Sequence, residues 1–296
     1  MKKILSLLFA AALAMTAQAQ FLGWLEVGDY YNPTEIYNGS YFDMAPTNFY
    51  LAHTGVQMIY TPDLMTRMVG KEGVQIKYLN FKYHNETFEE IVRNAKVYLQ
   101  EIDATEFAVN ENGVKQFFDL GTLVAEGRYD IDLLETYGED QALVIEVEEP
   151  FAYSPEKSLL VTIVMDAEDD DNCTMGSDYA AFYTSGIRGK AMTYTNNWTS
   201  FVDYAMGDDF PNATAMLGCG TNVELPVTEI GYTYERLCGD VNGDGEVNIV
   251  DAIDLINYIL GSVPTPFYEV NANVNQDSEV TITDAILLIN IVLNDV

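Results

Sequence analysis

Between Gly23 and Ile230 the apolar residues fall in short runs rich in Val, Ile, Tyr, Phe and Thr, broken by Gly, Asn, Asp and Pro. The run GVQIKYLNFKYH alternates from Val74 to His84, with Ile76, Tyr78 and Phe81 prominent. NAKVYLQEID sets Val97 and Leu99 on one face, and QALVIEVEEP alternates Leu143, Ile145 and Val147 with polar neighbours. Period-2 alternation of this kind predicts half-buried strands. SLLVTIVMD, residues 158–166, is apolar almost throughout and predicts a central strand covered on both faces. NETFEEIVRNAK accommodates either one helical turn or a loop before a strand. Clear helical periodicity begins only after Asn248, where Ile253, Ile256, Tyr258, Ile259 and Leu260 recur and Gly261 with Pro264 supplies a stop. The pattern predicts a mostly β chain: an antiparallel β-sandwich over residues 20–232, then a small α-helical module over 233–296.

The first twenty residues change the picture of where the chain works. Lys2 and Lys3 precede an apolar run from Ile4 to Met15, and Ala17-Gln18-Ala19 supplies the small residues of a cleavage site. This predicts a signal peptide over residues 1–19 with cleavage after Ala19. The run is shorter than the ~20 residues of a membrane span, and no cysteine marks a lipoprotein anchor. The expected product is secreted or held at the cell surface, with no membrane span after signal removal and no sorting domain after Val296. The formal net charge of −32 repels phosphate backbones, which excludes nucleic acid as a partner and disfavours anionic membrane surfaces. A hydrophobic content of 48% is too high for general disorder. Export permits disulfides. Cys173, Cys219 and Cys238 are odd in number, and Cys219 with Cys238 flanks the junction between the two parts, where the two could form a staple.

Part of the negative charge is grouped in a recognisable way. GDVNGDGEVNIVDAIDLINYIL places Asp240, Asn242, Asp244, Glu246, Asn248 and Asp251 at positions 1, 3, 5, 7, 9 and 12 of a loop, with Gly245 at position 6. A twelve-residue calcium loop takes oxygens from those positions, the seventh through its backbone carbonyl, and needs glycine at the sixth for a sharp turn. The pattern recurs 33 residues on, from Asn273 to Asp284, with Asn273, Asn275, Asp277, Glu279, Thr281 and Asp284 in the ligand positions and Ser278 at the sixth. The helix AILLINIVL follows. The segment entering the first loop, GYTYERLC, holds glycine and β-formers in place of the helix that precedes an EF-hand loop. The first loop offers three carboxylates and the second two. Two calcium ions are therefore expected, the second bound more weakly.

A duplicated loop-helix without entering helices resembles the dockerin module over Cys238 to Val296. That resemblance implies a cohesin-like partner bound in a calcium-dependent way on the loop-exit helices. It places partner contacts at Ile249, Val250, Ile256, Asn257, Ile282, Thr283, Ile289 and Asn290. The pairs Ile249-Val250 and Ile282-Thr283 differ from the Ser-Thr pair of clostridial cellulosomal modules, and their apolar character implies an apolar contact. The preceding region resembles the jelly-roll-like β-sandwich modules of secreted and surface proteins of Bacteroidetes, on the segments Ile76 to Tyr83, KVYLQEIDATEF, LVAEG and PFAYSPEKSLLVTIVMD. In large adhesins such modules imply binding or spacing.

Catalytic arrangements are sparse. The two histidines, His53 and His84, sit in no metal-binding motif, and no nucleophile elbow, Walker loop or dinucleotide fingerprint occurs. Glu146 and Glu148 share a strand face and would serve glycoside hydrolysis only across a cleft from a partner carboxylate; an edge-strand solvent face is the favoured reading of the pair. AEDDDN, residues 167–172, reads as a solvated strand-end loop or a loop cation site. The 20 tyrosines, many between Gly28 and Tyr50, could stack on sugar rings or serve strand packing. The expected function is a non-catalytic β-sandwich protein tethered through its dockerin in a polysaccharide-related or adhesive surface assembly, with carbohydrate as a possible ligand of the sandwich. The alternatives are a glycoside hydrolase component, and a loop-helix pair acting as a stabilising cap on its own chain.

Overall fold

The computed structural model describes residues 20–34, 45–47, 52–69, 71–85, 91–131, 138–167, 180–196, 200–202, 223–235, 237–244, 246–275, 277 and 279–294. The expected signal peptide, Cys173, Cys219, the acidic run after Ala167, Gly245 and Ser278 lie outside them. The chain divides into two compact units, one over residues 22–233 and one from residue 234 onward.

Among the described residues the first unit is built from eleven strands: β1 (Gln20–Val27), β2 (His53–Tyr60), β3 (Glu72–Asn85), β4 (Ile91–Ile102), β5 (Thr122–Ile131), β6 (Asp140–Ala152), β7 (Ser158–Asp166), β8 (Ala180–Phe182), β9 (Thr184–Asn196), β10 (Val223–Pro226) and β11 (Thr228–Glu235). They form two antiparallel sheets. One runs β1-β11-β3-β6, with β8 also pairing β3; the other runs β10-β9-β2-β7-β4-β5. Val56, Met58 and Tyr60 of β2 are wholly buried, and the Tyr60 hydroxyl meets the Thr228 hydroxyl of β11 at 2.9 Å. Burial pushes the Tyr60 phenol well above its ordinary value, against the opposing hydrogen bond from Thr228.

The continuous apolar run of β7 is explained by what lies on its second face. Leu160 and Val164 pack with Ile59, Met192 and Tyr194 against Phe107 and Phe117, which the β4–β5 connection lays over the sheet. Gln57, fully buried, holds that connection in place: its Nε2 donates to the Phe118 carbonyl and its Oε1 accepts the Phe118 N–H, both at 2.8 Å. Phe201 closes the same cluster over Gly55.

Two expectations change. Ile91–Ala95, read as one helical turn or a loop, is extended strand, because pairing with β5 and β7 outweighs local helical preference. In β3 a register shift between Ile76 and Tyr78 breaks the alternation. Ile76, Leu79 and Phe81 stay buried, while Tyr78 joins Asn80 on the opposite face of the strand. Among the described residues no helix is long and apolar enough to cross a membrane.

A Cβ added at Gly55 would lie 2.2 Å from the Phe201 ring, whereas one at Gly127 would meet nothing within 4 Å. Gly55→Ala is therefore expected to destabilise this unit by about 1–3 kcal/mol, and Gly127→Ala to leave it unchanged or slightly stabilised. Urea unfolding midpoints of the two variants test the contrast.

Candidate metal centre

The second unit contains α1 (Ile249–Ile259), the short α2 (Glu269–Ala272) and α3 (Ile282–Asn294). Its core is small: Val241, Ala252, Leu255, Ala272, Ala285 and Leu288 are buried, with Val247, Ile256, Ile259, Phe267, Val274, Val280, Ile289 and Val292 packed around them. Ala252 and Leu255 of α1 correspond to Ala285 and Leu288 of α3 at the 33-residue repeat, so the duplication is present in the packing as well as the sequence.

The first loop is folded around its own acidic and amide side chains. Asp240 Oδ1 accepts the N–H of Gly243 at 2.7 Å and of Asp244 at 3.1 Å. Asn242 Oδ1 accepts the Asp244 N–H, and Asp244 Oδ1 the Glu246 N–H. These are successive Asx turns. Asp251 closes the loop from the first turn of α1. It is fully buried, its Oδ1 accepting from Val241 N and Asn242 N and its Oδ2 from Asn248 N.

The second loop repeats the plan. Asn275 N donates to Asp284 Oδ1 at 3.0 Å and Thr281 N to Asp284 Oδ2 at 2.8 Å, while Asp277 N and Glu279 N donate to Asn275 Oδ1 and Asp277 Oδ1. Burial of Asp284 opposes its charge, but the N–H groups of Asn275 and Thr281 and the Thr281 hydroxyl outweigh it and hold the carboxyl below the ordinary carboxylate range. Asn273 Nδ2 donates to the Asp277 carbonyl, and its Oδ1 is buried without a hydrogen-bond partner.

The expected ligand residues are thus gathered within each loop. Among the described residues no three Asp, Glu, His or Cys side chains converge closely enough to hold an ion alone. The donor set mixes carboxylates, amides and main-chain carbonyls, the hard oxygen chemistry that suits calcium. The orphaned Asn273 oxygen is an acceptor that a cation would satisfy.

Some residues do more than, or other than, the sequence reading assigned. Asn248 caps α1: its Oδ1 accepts the Val250 N–H at 2.8 Å, and with Asp251 it makes a capping box. That signal was present in the sequence as Asn-x-x-Asp. Ile256 and Ile289, expected on the partner surface, are half-buried and pack against the module's core, because each lies about one helical turn after the buried Ala252 or Ala285 on the same face. Asn257 is half-buried and Asn290 exposed. Ile249, Val250, Ile282 and Thr283 are exposed as expected, and Ile253, Ile286 and Leu287 extend the exposed apolar surface along the helices. Cys238 donates its Sγ–H to the Val274 carbonyl at 3.7 Å.

The connection between the repeats clasps the first loop. Tyr268 N donates to the Val241 carbonyl at 2.8 Å, Gly239 N to the Asn271 carbonyl at 3.1 Å, and Asn271 Nδ2 to the Asp240 carbonyl. Gly243, at φ +75, has the Tyr268 ring 2.3 Å from where a Cβ would stand. Tyr258 of α1 stacks on Phe267 at 4.3 Å and 11°. No local sequence pattern signals contacts at these separations.

Asp251→Ala would strand the buried Val241 N–H, at a cost of about 1–3 kcal/mol, and would also leave the half-buried N–H groups of Asn242 and Asn248 without their acceptor. The variant is expected to lose the helical circular dichroism of this unit while the two-sheet unit keeps its own unfolding transition. Glu246→Ala, whose side chain is exposed, is expected to change neither the helical signal nor the calcium affinity read by calorimetry.

Residues 238–293 match the family model of the dockerin type I domain. No curated protein and no solved structure matches the chain. Dockerin domains bind calcium and cohesins. The C-terminal module of this chain belongs to the dockerin type I family.

Proposed function

We propose that this chain is an exported, non-catalytic β-sandwich protein that its dockerin tethers to a cohesin-like partner in an extracellular assembly handling polysaccharide. The observation that carries the reading is the division of labour on α1 and α3. Each helix uses Ala, Leu and Ile on one side for the module's core and leaves Ile249, Val250 and Ile253, or Ile282, Ile286 and Leu287, uncovered on the other. Apolar residues repeated on two equivalent helix faces are the raw material of a buried contact.

Calcium supplies the rigidity that such a contact requires. In this reading Asp240, Asn242, Asp244, Asn248 and Asp251 with the Glu246 carbonyl hold one ion. Asn273, Asn275, Asp277, Thr281 and Asp284 with the Glu279 carbonyl hold a second. The second site is weaker, because Asn273 replaces a carboxylate and fewer charges face the cation. Ion binding contributes to folding in a module with so small a core. The β-sandwich then brings a carbohydrate-binding surface to the assembly.

Calorimetry of the full chain with calcium is expected to resolve two sites differing at least tenfold in affinity; two equal sites would refute the ranking. Surface plasmon resonance against cohesin domains from the source organism is expected to show binding in calcium and none in EDTA. The double variant Ile249→Asp/Ile282→Asp is expected to weaken that binding by roughly thirty-fold or more, corresponding to about 2 kcal/mol. Binding of the dockerin only to its own sandwich would replace the tethering reading with an internal brace.

A further inference from the structure

The outer face of the five-stranded sheet carries a second constellation, remote in chemistry from the calcium loops. β11 lies between β1 and β3. On it, Gly231 leaves a gap into which the flanking rings lean. A Cβ there would stand 2.7 Å from the Trp24 ring and 2.9 Å from the Tyr78 ring. Trp24 and Tyr78 meet over the glycine with centroids 5.7 Å apart and planes within 22° of parallel. The register shift in β3 is what turns Tyr78 to this side.

Two residues along the same strands, about 6–7 Å away, the face becomes polar. Asn80 Nδ2 donates to Glu229 Oε2 at 2.9 Å, and the Tyr31 hydroxyl donates to Glu229 Oε1 at 2.9 Å. Asn80 and Glu229 are each only 8% exposed. With its amide nitrogen committed to Glu229, Asn80 is left with a buried Oδ1 that has no hydrogen-bond partner. Buried acceptors of this kind are rare and destabilising unless a donor arrives. The surroundings are open: Tyr31 is 66% exposed, and Val144, opposite Asn80 on β6, 52%.

An aromatic platform beside a fixed pair of acceptors suits a ligand with an apolar ring face and several hydroxyl donors. A sugar ring has both. The carboxylates of Glu229 and of Glu146, which pairs opposite Tyr78, together with a net charge of −32, disfavour uronate chains. We propose that this face binds a neutral polysaccharide, with Trp24 and Tyr78 under a sugar ring, Asn80 and Glu229 accepting its hydroxyls, and Tyr31 flanking it. The assignment deepens the carbohydrate part of the proposed function and rests on it; the tethering part is independent.

The test is native gel electrophoresis of the full chain through gels containing laminarin, galactomannan, xyloglucan or pullulan, with polygalacturonate as the anionic control, in EDTA to leave the dockerin out of play. The expected result is retardation by at least one neutral polymer, none by polygalacturonate, and at least tenfold weaker retardation of Trp24→Ala and Tyr31→Ala. Tyr31 is the deciding position if Trp24→Ala fails to fold, because its ring is mostly in solvent. Retardation that Tyr31→Ala and a folded Trp24→Ala both retain would place the sugar elsewhere and overturn this site alone. Equal retardation by polygalacturonate would overturn the neutral-ligand assignment. No retardation by any polymer would overturn the site and the carbohydrate reading together.

Discussion

Asp251 and Asp284 are acids with no exposed surface, each set in the first turn of a helix and each receiving backbone N–H groups from the loop before it. A buried carboxylate is tolerated only when donors surround it. Here the donors are the loop's own main chain, so the loop cannot adopt another path without stranding either a charge or its N–H groups. The helix start and the closure of the loop follow from that contact, and the Asx turns of Asp240, Asn242 and Asp244 shape the path between. The apolar faces of α1 and α3 inherit their orientation from it as well.

The two-sheet unit obeys a different constraint, the covering of both faces of its six-stranded sheet. One face of β7 is buried between the sheets, and the other is sealed by Phe107, Phe117 and Phe201. Gln57 links the covering connection to the sheet through two hydrogen bonds, in the way a neighbouring strand would. Aromatic burial and one buried amide thus replace a further layer of secondary structure.

Much of this was legible in the sequence, for physical reasons that differ between elements. The strand β7 was readable because burial on both faces writes an unbroken apolar run, and β6 because one solvent face writes an alternation. The duplicated loop was readable because ligand chemistry fixes residue type at fixed spacing. What escaped was what depends on an interruption or on distance. A register shift sets Tyr78 on the face opposite Ile76, where unbroken period-2 alternation would set the two on one face. Ile256 and Ile289 were assigned to the surface because family resemblance marks the helix and not the side of it. The clasp from Tyr268 and Asn271 onto the first loop joins residues 25 to 32 positions apart, and the Trp24–Tyr78 platform joins strands far apart in the chain; neither leaves a local mark.

The clasp has a consequence for the ancestry of the module. Its two halves look like copies, yet neither is self-sufficient. The first loop is completed by residues that lie between the copies, and Leu288 of α3 fills the space that Gly239, ahead of the first loop, leaves bare. What began as repetition has become interdependence: each copy has ceded part of its enclosure to the other, so the smallest unit that selection can now keep or discard is the pair.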